Sequence, residues 1–177
     1  MRRAAGLLFL LFTLTACGSS SGLSTDDLAI VKVNDEKQIV RYGMSRETAE
    51  KVLGEAEYDS KFILSYENGV DILFRDNSVV VIRLDEESSG VYKTLQGAEI
   101  NMNKKDLKGI YGKDTAIEVS ENNLDYLYDS INKKYLKTME VSSKQRDKYY
   151  HVSIGFNDRG EAESIFLMDN NAAVLME

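Results

Sequence analysis

Gly43-Met44-Ser45-Arg46-Glu47-Thr48-Ala49-Glu50-Lys51-Val52-Leu53-Gly54 decides how this chain is to be read, because its pattern returns once, 58 positions on, as Met102-Asn103-Lys104-Lys105-Asp106-Leu107-Lys108-Gly109-Ile110-Tyr111-Gly112. Both stretches carry the punctuation of a short helix: Met before the cap, Ser or Asn at the cap, two turns, and a Gly that supplies φ > 0 at the end. In the second, Met102 and Leu107 stand where a hydrophobic staple places its partners, and Asp106 sets a carboxylate against the helix N-terminus. Ala49/Val52/Leu53 and Leu107/Ile110/Tyr111 follow i, i+3, i+4 spacing, one apolar stripe per helix. A two-turn helix does not hold itself together in water, so each stripe is expected to lie on the strands that follow it.

Those strands are legible. After Gly54, Phe62–Tyr66, Val70–Phe74 and Val79–Leu84 are separated by Glu67-Asn68-Gly69 and Arg75-Asp76-Asn77-Ser78, which are hairpin loops by residue type and predict an antiparallel meander. Asp85–Gly90 interrupts the apolar pattern and predicts a boundary between two halves. In the second half Leu124–Tyr128, Tyr149–Phe156 and Glu161–Leu167 are predicted strands, and Phe156-Asn157-Asp158-Arg159-Gly160 parallels Phe74-Arg75-Asp76-Asn77. From the helix-ending Gly to that Phe there are 20 positions in the first half and 44 in the second, the excess falling at about 131–148. Upstream, Leu28–Val33 and Gln38–Tyr42 are predicted strands joined at Asn34-Asp35. The expectation is an α+β fold of two tandem repeats, each a short helix packed on an antiparallel meander, over 27–87 and 91–170.

The N-terminus supplies the address. Arg2 and Arg3 precede the apolar run Leu7–Phe12, too short to span a bilayer and suited to an export signal. Leu14-Thr15-Ala16-Cys17 resembles the lipobox of bacterial lipoproteins, which implies a signal peptide at 1–16, diacylglycerol and palmitate on Cys17, and a protein anchored to the outer face of the cell membrane, or to an outer membrane in a two-membrane cell. An ordinary signal peptide or an uncleaved anchor are the alternatives. Gly18-Ser19-Ser20-Ser21-Gly22 lies within an expected tether at 17–26. Removing 16 of 177 residues leaves 161, one ordinary domain or two small ones. Cys17 is the single cysteine, so its lipidation leaves no disulfide. The formal net charge of −7 becomes about −9 without Arg2 and Arg3, which argues against a nucleic-acid binder.

The Gly-Met-Ser start, the short helix closing in Leu-Gly and the meander with its Phe-x-Asp turn resemble the tandem helix-plus-sheet repeats of the β-lactamase inhibitor protein. They are also similar to the SmpA/OmlA lipoproteins of the outer-membrane β-barrel assembly machinery. Members usually have Pro soon after the Leu-Gly; here Glu55-Ala56-Glu57 and Lys113-Asp114 stand there, and the chain has no Pro. The resemblance implies a non-catalytic, protein-binding surface on the sheets and a partner in the cell envelope.

The residues themselves offer little chemistry. His151 is the single histidine; Tyr149 and Ser153 share its strand face, so a Ser–His pair is geometrically conceivable, although a sheet His beside Tyr is usually a half-buried structural residue. One His and no free Cys make a poor zinc site, no calcium-loop pattern occurs, and no cofactor or catalytic residue is expected. What departs from the acidic background is the insertion, where Lys133, Lys134, Lys137, Lys144, Arg146 and Lys148 outweigh Glu140 and Asp147. With Tyr126, Tyr128, Tyr135 and Tyr149 nearby, it is the expected partner surface, Tyr being at home both at interfaces and in sheet cores. An anionic lipid or envelope polymer is the alternative ligand, and an enzyme of unknown type the third reading.

Overall fold

The computed structural model of the protein describes residues 22–60 and 63–173. The signal, Cys17 and Phe62 lie outside them. The folded body begins earlier than expected: Leu23 is buried in the core and Asp27 closes a turn by accepting from Ser24 N and Oγ, both at 2.8 Å. Leu23 to Asp27, within the expected tether at 17–26 and its boundary, therefore belong to the folded body, because Leu23 provides an apolar foothold in the core.

Three strands make a small antiparallel sheet: β1 (Ala29–Lys32) lies between β2 (Asp35–Arg41) and β7 (Tyr92–Thr94). Eight make a large one: β3 (Tyr58–Asp59), β4 (Ile63–Tyr66), β5 (Val70–Arg75), β6 (Ser78–Leu84), β8 (Asn123–Asp129), β9 (Lys134–Tyr135), β10 (Tyr149–Phe156) and β11 (Ala162–Asp169). Their order is β3-β4-β5-β6-β11-β10-β8-β9, every pair antiparallel. The two meanders thus meet through their last strands, Leu84 opposite Ile165 and Ile82 opposite Leu167. The fold is α+β, its large sheet antiparallel throughout and its helices few and short.

The two quoted stretches are α1 (Arg46–Leu53) and α2 (Lys104–Tyr111). Ser45 caps α1 by accepting from Thr48 N at 3.3 Å, and Asn103 Oδ1 caps α2 by accepting from Asp106 N at 3.0 Å. Gly54 and Gly112 follow them at φ 90° and 102°, the left-handed region that a Cβ disfavours. Several further contacts recur, 58 positions on for the helix side and 82 or 83 on for the longer-looped strand side. Gly43 and Met44 exchange backbone hydrogen bonds with Val79, and Asn101 and Met102 exchange them with Ala162. Arg46 lies over the Phe74 ring at 5.8 Å and Lys104 over the Phe156 ring at 5.0 Å. A register irregularity falls just before each of those phenylalanines.

One core joins all of this. Ala49 and Leu53 of α1, Leu107 and Tyr111 of α2, and Leu28, Ile30, Val40 and Tyr92 of the small-sheet segment are buried together. They lie against Ile72, Ile82, Leu84, Tyr126, Val152, Ile154 and Leu167 of the large sheet. The predicted boundary at 85–90 is a 3-10 turn over Glu86–Ser88 with Ser88 fully buried, and β7 just beyond it pairs with β1. Residues 27–87 and 91–170 therefore share a core and two sheets. No described helix is long and apolar enough to cross a membrane.

Candidate functional site

α1, α2 and the small sheet cover one face of the large sheet; the other carries the residues of opposite alternation. On β8 these are Asn123, Asp125, Leu127 and Asp129, and on β10 they are Tyr149, His151 and Ser153. Part of this face has its own cover. α3 (Asn170–Ala173) lies over it, and Ala172 and Ala173 form a second apolar cluster with Leu73, Val80, Val81 and Met168. A buried carboxylate, Asp169, holds α3 in place. It accepts from Ala172 N at 2.7 Å and from the Tyr42 hydroxyl at 2.6 Å, and it pairs with Arg75. Burial, and then this bond to a carboxylate, raise the Tyr42 phenol well above its ordinary value.

The insertion supplies the rest of the cover. It contains β9 and a 3-10 segment, Ser143–Lys148, and its Met139 faces β10 across a cleft of about 540 Å³. Val119, Met139, Phe166, Met168 and Ala173 give the cleft apolar lining; Ser120, Asn123, Asp125, His151 and Ser153 give it polar lining. A smaller recess of about 320 Å³, bordered by Glu140, Val141, Arg146 and Asn170, shares His151 and Met139 with it. The first half has no counterpart of the insertion; beyond the apolar cluster under α3 the same face there carries Arg83, paired to Asp71 at 2.5 Å and lying over the Phe166 ring at 5.7 Å.

At the floor of the cleft, His151 Nε2 meets Asp125 Oδ1 at 2.9 Å, both side chains 6% exposed. Neighbouring strands bring them together, Ser153 standing directly opposite Asp125 in the β8–β10 register. Ser153 Oγ accepts from Asn123 Nδ2 at 3.4 Å. The conceivable Ser–His pair is thus replaced by a His–Asp pair, since the imidazole turns to the adjacent strand rather than along its own. His151 Nδ1 is buried without a partner. Among the described residues no cluster of three potential metal ligands occurs.

The expected surface divides in two. Tyr126 and Tyr128 are buried, at 0% and 4% exposure, and do not belong to a surface. They share the core face of β8 with Leu124, Tyr126 against Tyr111 at 5.1 Å between ring centroids. Tyr135 is half-buried edge-on to Tyr128, also at 5.1 Å, and Tyr149 is half-buried. Burial pushes the Tyr135 phenol up to about 12 and raises that of Tyr126 further. Lys133, Lys134, Lys137 and Lys148 are exposed; Arg146 is half-buried, its Nε without a partner. Sequence reasoning missed Asp125, 26 residues from His151, and the apolar lining from Phe166, Met168 and Ala173, which only the sheet order assembles. Comparison of the chain with protein-family models, with curated proteins and with solved structures finds no match.

Proposed function

We propose that the chain is a lipid-anchored protein of the bacterial cell envelope, acting as a non-catalytic binding module for another envelope protein. Two tandem helix-plus-meander repeats form its body. The lipobox-like Leu14-Thr15-Ala16-Cys17 supports the anchor. The cap and the cation recurring 58 positions apart, and the ring and the register irregularity recurring 82 apart, support the repeats.

The cleft between the insertion and the sheet face that carries α3 supports the binding reading. It is concave, mostly apolar, floored by a few polar groups, and built only where the second repeat is longer than the first. Binding is favoured over nucleophilic catalysis because His151 turns Nε2 to Asp125 and its other nitrogen, Nδ1, is buried without a partner, so among the described residues no hydroxyl is paired with it as a nucleophile.

The test is a photo-crosslinking capture from native membranes with the probe at Met139, and at Lys51 on α1 as the control. Recovery of one envelope protein from the Met139 probe alone is expected, lost on Phe166→Glu with the melting temperature kept. Equal recovery from both positions, or recovery of wall polymer alone, rejects the reading.

A further inference from the structure

The chain enters its folded body at one corner of the large sheet. Gly22 lies against the Tyr128 ring, in space that a Cβ would fill, and Leu23 is already in the core. Tyr128 pairs with Tyr135 and Asp129 with Lys134, so this entry point adjoins the basic turn between β8 and β9. Cys17 precedes Gly22 by five residues, a span of at most ~18 Å when extended. A lipid on Cys17 therefore brings that turn to the bilayer surface.

The turn is rigidly presented. Asp129 accepts from Ile131 N at 3.0 Å, Asn132 N at 2.9 Å and Asn132 Nδ2 at 2.7 Å. Ile131 stands 53% exposed, one of few large apolar side chains that do. Lys133 and Lys134 follow it, and Lys148 adjoins it through the hydrogen bond from Ser130 N to Lys148 O at 3.0 Å. Asp147 pairs with Lys148 at 2.6 Å, but among the described residues no carboxylate is in ion-pair contact with Lys133, Lys134 or Lys137. Glu140 is the other acid of the insertion and is exposed. Asp129 at the base of the turn and Asp27 near Tyr135 offset part of this charge; the more distant acids do not, because at physiological salt charges are screened beyond ~8 Å.

We propose that this corner docks on the membrane: Ile131 enters the headgroup layer while Lys133, Lys134 and Lys137 bind anionic phospholipid headgroups, fixing how the anchored body stands on the bilayer. The orientation rests on the Cys17 anchor proposed above; the surface itself does not need it.

The full chain carrying Cys17→Ala is cosedimented with vesicles of phosphatidylcholine alone and with about a third phosphatidylglycerol, so that acylation plays no part. Binding to the anionic vesicles only is expected. A lysine near such a surface is worth about fivefold in partitioning, so Lys133→Gln/Lys134→Gln/Lys137→Gln lowers it about a hundredfold. Ile131→Ser lowers it about tenfold. Lys37→Gln/Lys51→Gln/Lys113→Gln, with the same net charge, leaves it nearly unchanged.

Equal binding to neutral and anionic vesicles, or an unaffected tip triple variant, overturns the proposal. So does competition by soluble polyphosphate combined with indifference to Ile131→Ser, which makes the corner a polymer site. The mass of the wild-type N-terminus from membranes reports acylation separately, so failure of the anchor and failure of the docking surface are told apart.

Discussion

Raising the pH should unfold this protein abruptly, and the buried tyrosines set where. Tyr66, Tyr92, Tyr111 and Tyr126 are each 6% exposed or less. Burial pushes the Tyr66 phenol up to about 12 and raises those of Tyr92, Tyr111 and Tyr126. In the unfolded chain all four ionise near 10. Between these limits the native state holds protons that the unfolded state has released, so stability falls as pH rises. The loss is ~1.4 kcal/mol per unit for each phenol, or roughly 5 kcal/mol per unit for four. A domain stable by ~5–10 kcal/mol exhausts that margin within about two units above pH 10, before the Tyr66 phenol itself ionises in the native state. Circular dichroism and phenolate absorbance, followed together, should show part of the ten tyrosines titrating late and in step with loss of structure. Tyr126→Phe removes one phenol from the slope and should raise the alkaline midpoint by about 0.5 unit. It should also leave the protein at neutral pH as stable or ~1 kcal/mol more so, since the Tyr126 hydroxyl is buried without a partner. Titration of all ten tyrosines near pH 10 with the sheet intact would refute the burial pattern. Destabilisation of Tyr126→Phe by more than ~1 kcal/mol would refute the unpartnered hydroxyl.

Two further perturbations test how α3 and the caps of α1 and α2 are held. Asp169→Ala removes the carboxylate shared by Tyr42, Arg75 and α3 and should cost about 3 kcal/mol in denaturant unfolding; a loss below ~1 kcal/mol would mean that α3 is held by its alanines alone. Asn103→Ala should cost ~1 kcal/mol, more than Ser45→Ala, because its cap bond is shorter, 3.0 against 3.3 Å, and its amide also donates to Asp106 Oδ2. Equal costs, or failure of Asn103→Ser to recover most of the loss, would set aside the cap as the cause.

α1 and α2 were legible to the residue because their signals are local, Ser45 and Asn103 at the caps and Gly54 and Gly112 at the ends; α3, one turn held by Asp169, carries no such signal and was not foreseen. The longer strands were legible for the same reason. The pairing of β6 with β11 was not, since Leu84 and Ile165 are 81 positions apart and no local pattern selects one partner over another. Tyr126 and Tyr128 were misplaced because Asp125, Leu127 and Asp129, on the opposite face of β8, are buried as well. With both faces covered, alternation does not tell the interior from an interface. The strand Tyr92-Lys93-Thr94 is too short to show a period, and the His151–Asp125 contact exists only because β8 and β10 are neighbours.

The large sheet ends on both sides in strands of two residues, Tyr58-Asp59 and Lys134-Tyr135, each carrying one charge. A longer uncharged margin would offer its unpaired amides and carbonyls to another copy of the chain as a template for strand addition. That hazard grows when molecules are concentrated side by side on a surface, as anchored proteins are. The brevity of these two strands lets the protein be crowded at high density without the large sheet growing from one molecule into the next.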